Sequence, residues 1–143
     1  AHIAENASVP VGYLVSGRIR TMTSEHCVLM ATGKCIHDSD TCKLRQELHY
    51  LRGIDNDYLP VTTDTQGRSR IWAPQPFDAV PELDVLLAHG VTRLMVDATL
   101  LTKEQTKRAV ARVASAVADV KQGRALPSRL EGATQGHLFS PIG

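Results

Sequence analysis

The chain has 143 residues, of which 43% are apolar and 22% are charged. A chain of this length forms one ordinary domain with a buried core, and its composition excludes a disordered, collagen-like or coiled-coil protein. Sixteen Lys and Arg against fifteen Asp and Glu leave a net charge of +1. Bulk charge therefore gives no reason to expect binding to nucleic acid or to a membrane surface, although a local basic patch stays open.

The uninterrupted apolar runs span only a few residues, whereas a membrane-spanning helix needs about 20. The sequence therefore predicts no membrane helix and no membrane partner. Residues 1–10 have neither the basic nor the apolar region of a secretory signal, and the missing initiator Met indicates a processed chain or an excised piece. Three cysteines are an odd count, which favours reduced thiols and a cytoplasmic protein.

The first half of the chain is predicted to be rich in strands. After an N-terminal extension at 1–10, residues 11–30 begin with apolar or Thr side chains that alternate with polar ones, as on a half-buried strand. The three cysteines follow in a polar stretch that is predicted to be a loop. Residues 48–76 contain three strand-like runs separated by turn-forming clusters at 55–57 and 64–67, which predicts an antiparallel meander.

Residues 78–123 predict a helix, a strand and a second helix. Asp78 is predicted to cap the first helix, which ends at Gly90, and residues 91–98 read as a buried parallel strand. Thr102 and Gln105 are spaced as a capping box for the second helix. Helix, strand and helix in this order is the repeat of a parallel α/β layer, so 11–123 is predicted to be one α/β domain. Residues 124–143 are predicted to be a C-terminal tail.

Several short pieces of the chain follow one another in a set order between about residues 12 and 139. They are Gly17-Arg18-Ile19-Arg20-Thr21-Met22, Glu25-His26-Cys27, Cys35 and Cys42, Tyr58-Leu59-Pro60-Val61-Thr62-Thr63-Asp64, Gly67-Arg68-Ser69-Arg70-Ile71-Trp72, residues 82–91, Val96-Asp97-Ala98-Thr99 and Thr134-Gln135-Gly136-His137-Leu138-Phe139. In this order and spacing they resemble the collagenase-like peptidases of unassigned catalytic type, peptidase family U thirty-two.

The resemblance implies a (β/α)8-type barrel, of which this chain would hold only the later strands and helices. We therefore expect an α/β fold: a partial (β/α) barrel-like fragment with an inserted antiparallel β meander, whose partner is the remainder of its own barrel domain. Some members of the family resemble peptidases or collagenases, which hydrolyse peptide bonds. Others resemble proteins for the oxygen-independent hydroxylation of RNA bases or quinone precursors, which carry a four-cysteine iron–sulfur cluster.

Cys27, Cys35 and Cys42 are candidate metal ligands. Three thiolates on one polar loop suit zinc or an iron–sulfur cluster, because coordination would order a loop that has no core of its own. The alternative is that the three cysteines are reduced and packed as small apolar side chains.

The cluster-bearing relatives have a fourth cysteine just before the Arg of the second hairpin, where this chain has Gly67 before Arg68. The four-cysteine set is therefore incomplete. Either His26 or His37 supplies a fourth ligand, which would suit zinc, or the site is empty.

Glu25, His26 and Cys27 are candidate catalytic residues. They end a predicted barrel strand, at the edge where such barrels hold their active sites. Glu and His beside Cys would supply a base and a thiolate nucleophile. The alternative is ordinary packing at a strand end, because neighbours on a strand point to opposite faces.

Arg68, Arg70 and Asp97 are candidate substrate-binding residues. Arg68 and Arg70 occupy alternate strand positions, so they share a face that would clamp a phosphate or carboxylate, unless the hairpin only pairs them with its own Asp64. Asp97 is either a carboxylate of the barrel rim or a cap of the next turn. Five basic residues between positions 93 and 112 are predicted to form a solvated helix face: Arg93, Lys103, Lys107, Arg108 and Arg112.

From these observations we expect a cytoplasmic fragment of a peptidase that hydrolyses peptide bonds and is inactive in isolation. One alternative is a hydroxylation factor for an RNA base or a cofactor that depends on zinc or an iron–sulfur cluster. The other is a scaffold domain without catalysis, which Gly67 in place of a cysteine suggests.

Overall fold

A computed structural model describes residues 2–33, 35, 42–136 and 138 of the chain. The elements in chain order are α1 (His2–Asn6), β1 (Val11–Gly17), β2 (Arg20–Ser24), β3 (His49–Arg52), β4 (Tyr58–Thr63), β5 (Ser69–Trp72), β6 (Phe77–Asp78), α2 (Leu83–Ala88), β7 (Val91–Val96) and α3 (Lys103–Lys121). Short 3-10 turns occupy Val28–Thr32, Lys43–Gln46 and Val80–Glu82. The chain divides into a larger unit, Ala1–Arg18 with Gln75–Gly143, and a smaller unit, Ile19–Pro74.

The larger unit is built on a three-stranded sheet in the order β6-β1-β7. The central strand β1 is antiparallel to β6 and parallel to β7. Helices α2 and α3 pack against this sheet, and each large apolar side chain buried between them stabilises the unit by about 1.5–3 kcal/mol. The buried core consists of Val15, Phe77, Ala79, Val80, Leu83, Leu86, Val91, Val113 and Ala116.

Helix α3 begins at a capping box. Oγ1 of Thr102 accepts a hydrogen bond from the backbone N–H of Gln105 (3.2 Å), and Oε1 of Gln105 accepts one from the N–H of Thr102 (2.8 Å). The predicted capping box is therefore confirmed. Val113 and Ala116 are buried against the core, whereas Val110 on the same helix is 51% exposed.

The smaller unit is a four-stranded antiparallel sheet in the order β2-β5-β4-β3. Strands β3, β4 and β5 form a meander, as the turn-forming clusters between them predict. Val61 and Ile71 lie opposite each other on its buried face. Leu29, from the turn Val28–Thr32, is also buried, and the N–H of Val28 donates to Oγ of Ser69 (2.9 Å), which ties this turn to β5.

The predicted partial (β/α) barrel is wrong. The described residues form a small α+β fold with one mixed sheet, one antiparallel sheet and one long helix, α3, of 19 residues. Among their strand pairs only β1–β7 is parallel, and the other neighbour of β1 is the antiparallel β6. A (β/α) barrel repeats parallel pairs all the way round. The structure therefore gives no support to the remainder of a barrel as the partner of this chain.

The strand predicted near the start of the chain divides into two strands that belong to different sheets. At the break, Gly17 has a φ of 145°, and a Cβ at this position would lie 2.7 Å from Cβ of Asp97. This approach is open only to glycine. The chain leaves the larger sheet at this point, and β2 pairs with β5 instead.

Both ends of the described chain belong to the larger unit. Ala4 of α1 and Leu126 pack against the core. The carbonyl of Thr134 accepts from the N–H of Asp78 (2.9 Å), and its N–H donates to the carbonyl of Pro76 (2.8 Å). The predicted tail thus runs beside β6 as far as this residue. None of the helices in the described residues combines the length and the apolar composition that a membrane span requires.

Candidate functional site

The hairpin between β4 and β5 carries two of the residues predicted to bind substrate. The N–H groups of Gln66 and Arg68 both donate to Oδ1 of Asp64 at 3.0 Å. Oδ2 of Asp64 accepts from Nε of Arg68 at 3.0 Å and from Nη2 of Arg70 at 3.4 Å. One carboxylate therefore holds the turn and orients both guanidinium groups.

Asp64 stays ionised beside these arginines. Desolvation alone would raise the pKa of Asp64, but hydrogen bonds from the backbone and side chain of Arg68 and from the backbone of Gln66 outweigh it and hold the pKa below its ordinary value. Two positive charges thus face one negative charge at neutral pH. The side chains of Arg68 and Arg70 are 38% and 37% exposed, so a positive charge is presented to solvent.

Arg68 and Arg70 lie on the same face of the sheet. Arg70 is opposite Thr62 on β4, and Arg68 precedes it by two positions, so both side chains project to one side. Both arginines also pair with Asp64. The structure therefore combines the two arrangements that the sequence left open, a shared face and a hairpin that pairs its own carboxylate.

Glu25, His26 and Cys27 directly follow the end of β2. Glu25 and His26 are exposed, and Cys27 is half-buried. The N–H of His26 donates to Oγ of Ser24 (3.1 Å), and the carbonyl of Cys27 accepts from the N–H of Met30 (3.1 Å). Within the described residues no hydrogen bond or ion pair joins the three predicted catalytic side chains. They are thus neighbours, but not an assembled base and nucleophile.

Cys27, Cys35 and Cys42 are partly exposed thiols. In the part of the chain that the structure describes, no group of three or more His, Cys, Asp and Glu side chains comes together as metal ligands do. His37, one of the two candidates for a fourth ligand, lies outside the described residues. The described donor set therefore does not fit the zinc or iron–sulfur site that the cysteines suggested.

Gly67 occupies the position at which the resemblance implies a fourth cysteine. A Cβ at Gly67 would lie 3.9 Å from Cβ of Cys27 and 3.2 Å from Nη2 of Arg45. Nη1 of Arg45 donates to the carbonyl of Thr65 (2.8 Å), which holds this guanidinium beside the turn. Its positive charge opposes the binding of a metal cation at this place.

Asp97, the third predicted substrate-binding residue, follows the end of β7 in the larger unit. Its Oδ1 accepts hydrogen bonds from the N–H (2.8 Å) and from Oγ1 (2.6 Å) of Thr99, and its own N–H donates to the carbonyl of Ser16 (2.8 Å). Asp97 therefore caps the turn after β7, which is one of the two roles that the sequence allowed.

Strands β3 and β4 carry exposed aromatic and basic side chains that were not predicted from the sequence. Tyr50 and Tyr58 are 57% and 58% exposed, and Arg52 lies opposite Tyr58. A signal for them exists, because Tyr50 and Arg52 alternate with Leu51 and must share a face of any strand. Only the pairing of β3 with β4 shows that Tyr58 joins them.

Comparisons of the chain with models of protein families, with curated proteins and with solved structures find no match. The resemblance to the collagenase-like peptidases therefore stays a prediction from pieces of sequence, and function is inferred from residues and geometry.

Proposed function

We propose that this chain is the substrate-binding part of a protein related to the collagenase-like peptidases, and that Arg68 and Arg70 bind an acidic group of its substrate. The observation that carries the proposal is that one carboxylate, Asp64, orients both guanidinium groups on one face while each stays more than a third exposed. Groups that are already oriented lose less conformational freedom when an anion binds.

The hydrogen bonds leave donors for such an anion. A guanidinium has five N–H donors, and Asp64 accepts from Nε of Arg68 and from Nη2 of Arg70. Within the described residues these are the side-chain hydrogen bonds that the two arginines make. The remaining N–H groups suit the oxygens of a carboxylate or phosphate.

The neighbourhood of Gly67 supports the proposed relationship. The resemblance implies that positions 27 and 67 hold ligands of one cluster in the cluster-bearing relatives, and their Cβ positions are 3.9 Å apart in this chain. A hydroxylation factor that works through such a cluster is disfavoured for this chain, because its described donors do not form the set. We propose that this chain has kept the binding surface and not the cluster.

A titration of the chain with inorganic phosphate, followed through the NMR signals of the arginine Nε–H groups, tests the proposal. We expect the double variant Arg68→Gln and Arg70→Gln to weaken phosphate binding about tenfold or more, because hydrogen bonds to charged groups contribute about 1.5–3 kcal/mol each. Arg108→Gln, on the exposed side of α3, is the control and should bind as the wild type does. Equal binding by the wild type and the double variant would contradict the proposal.

Hydrolysis of peptide bonds is the second candidate. The observation in its favour is that Glu25 and His26 are exposed beside the half-buried thiol of Cys27. A thiolate nucleophile is indispensable in such a mechanism. We therefore expect Cys27→Ala to abolish any cleavage of a fluorogenic peptide library that the wild-type chain shows, whereas cleavage that survives Cys27→Ala would remove Cys27 from the mechanism. Cys42→Ala is the matched control.

A further inference from the structure

One face of the sheet in the smaller unit carries arginine and tyrosine side chains on all four strands or their ends. We name it the arginine–tyrosine face and define it by Arg20, Tyr50, Arg52, Tyr58, Arg68 and Arg70. The register of the sheet assigns these residues to one side, because residues directly opposite each other, and residues two apart on one strand, share a face.

Arg70 on β5 shows which side of the sheet this face occupies. Thr62 is opposite Arg70, and Oγ1 of Thr62 accepts a hydrogen bond from Nε1 of Trp72 (3.3 Å), so these side chains meet on the same side. The pairing of β2 with β5 is irregular between Arg20 and Met22, and it is the position of Arg20 opposite Trp72 that assigns Arg20 to this side. Arg68 belongs to the same side, because it shares Oδ2 of Asp64 with Arg70.

The other half of the face follows from β4 and β3. Pro60 and Tyr58 are two and four positions before Thr62 on β4, so they point to the same side. Tyr50 is opposite Pro60, and Arg52 is opposite Tyr58. The two tyrosines are therefore diagonal neighbours, which places their backbones about 7–8 Å apart.

The rings of the two tyrosines are largely exposed, although another aromatic side chain on the same face is buried. Their side chains are 57% and 58% exposed, while Trp72 on the same face is 5% exposed. Arg20 and Arg52 are exposed as well. Truncation of Tyr50 or Tyr58 therefore leaves the buried residues of the sheet in place.

The charge of this face is positive. Strands β2 to β5 contain Arg20, Arg52 and Arg70 and no Asp or Glu. The carboxylate that the structure places on this side, Asp64, is already shared by Arg68 and Arg70. The net charge of the whole chain is only +1, so acidic residues outside this face balance the arginines, among them Asp55 and Asp57 of the turn that joins β3 to β4.

We infer that the arginine–tyrosine face binds single-stranded nucleic acid, with bases stacked on Tyr50 and Tyr58 and phosphates bound by the arginines. An antiparallel sheet with exposed aromatic rings beside basic side chains suits unpaired bases, which stack on the rings while the backbone follows the charges. An acidic peptide would use the arginines alone, and a duplex hides the faces of its bases. The inference rests on the proposed function, because Arg68 and Arg70 belong to both.

Fluorescence anisotropy of a labelled oligouridylate of about 10 nucleotides tests this inference on the whole chain. We expect Tyr50→Ala and Tyr58→Ala each to weaken binding about 5- to 100-fold, because a base would lose its stacking partner. Tyr50→Phe should keep most of the affinity, since the ring remains. Leu51→Ala is the matched control, because Leu51 lies on the same strand but faces the other way, and it should bind within about twofold of the wild type.

The salt dependence of binding tests the role of the arginines. We expect Arg52→Gln to reduce the slope of log affinity against log salt concentration by about 0.7, the value for one phosphate contact in a single strand. Arg108→Gln, a change of the same charge on α3, should leave the slope unchanged. An oligothymidylate of the same length separates RNA from DNA, and binding of either one supports the inference.

Two competitors decide against the inference if they behave like the oligonucleotide. A polyglutamate peptide that displaces it fully, with an affinity that does not depend on Tyr50 or Tyr58, would show that the surface recognises acidic groups only. A duplex that binds as tightly as the single strand would also overturn it.

Different results would contradict the proposal for Arg68 and Arg70 and the inference for the arginine–tyrosine face. If phosphate binding does not depend on Arg68 and Arg70 while oligonucleotide binding depends on Tyr50, Tyr58 and Arg52, the proposed function is wrong and the inference for the face survives. If phosphate binding depends on the pair and the tyrosine variants bind the oligonucleotide as the wild type does, the inference alone is wrong.

Discussion

Asp78 and Arg112 form a buried ion pair in the larger unit. Nη1 and Nη2 of Arg112 donate to Oδ1 and Oδ2 of Asp78 at 2.8 and 3.0 Å, and the N–H groups of Val80 and Leu130 donate to the same carboxylate. The side chain of Asp78 is 1% exposed. Every oxygen of this buried charge is thus satisfied, which burial in an apolar core requires.

Neither partner of this pair was predicted in its actual role. Asp78 was expected to cap a helix and Arg112 to lie on a solvated helix face, because both roles follow from residues nearby in sequence. The pair joins positions 34 residues apart, and only the packing of α3 against the sheet brings them together. Asp78 does accept from the N–H of Val80, two positions on, as a local cap would.

We expect Arg112→Met to lower the free energy of unfolding by about 3 kcal/mol, because it leaves the carboxylate of Asp78 buried without its charged partner. Urea denaturation followed by far-UV circular dichroism measures this loss. Arg108→Met, one turn earlier on the exposed side of α3, is the control and should change the free energy by no more than about 0.5 kcal/mol. Equal losses in both variants would mean that the pair adds no stability.

At the scale of elements, features set by residues near each other in sequence were predicted correctly, and features set by residues far apart in sequence were not. The capping box of α3 was predicted because its two residues are three positions apart, within one helical turn. The meander was predicted because each turn lies between the strands that it joins. The barrel prediction was wrong because a barrel depends on which strands pair with each other. The parallel pairing of β1 with β7 joins residues some 80 positions apart, and the sequence of neither strand indicates it.

The candidate site divides in the same way. Arg68 and Arg70 were predicted to share a face because they alternate on one strand, and Asp64 lies in the adjoining turn. Tyr50 and Tyr58 belong to different strands, so their common face depends on the register of β3 against β4. A sequence shows the alternation within each strand but not the register between strands.

At the scale of the molecule, each unit contains a carboxylate whose ionised form is stabilised by folding. Desolvation alone would raise the pKa of Asp78, but hydrogen bonds from Arg112, Leu130 and Val80 outweigh it and hold the pKa below its ordinary value. The pKa of Asp64 in the smaller unit is lowered likewise. Each carboxylate therefore contributes fully to the free energy of unfolding above the pKa of an unfolded Asp, about 3.9. This contribution is lost as the pH falls through the lower pKa of the folded state.

We expect the free energy of unfolding to fall on acidification below about pH 4, and to fall less steeply in Asp78→Asn, because the amide does not titrate. Urea denaturation at a series of pH values measures the slope. Asp84→Asn is the control, since Asp84 is exposed on α2 and should leave the slope as it is in the wild type. A slope in Asp78→Asn equal to that of the wild type would remove Asp78 from the acid sensitivity.

The chain passes from the larger unit to the smaller one after Arg18 and returns after Pro74. Within each unit, the residues next to these two points are paired with each other. In the larger unit, Gly17 and Phe77 are opposite each other on β1 and β6. In the smaller unit, the N–H of Ala73 donates to the carbonyl of Ile19 (2.8 Å). The smaller unit therefore begins and ends at neighbouring points, as a domain inserted into a hairpin loop does. A short reverse turn would span the same two points, so replacing the smaller unit by such a turn would leave the pairing of β1 with β6 in place.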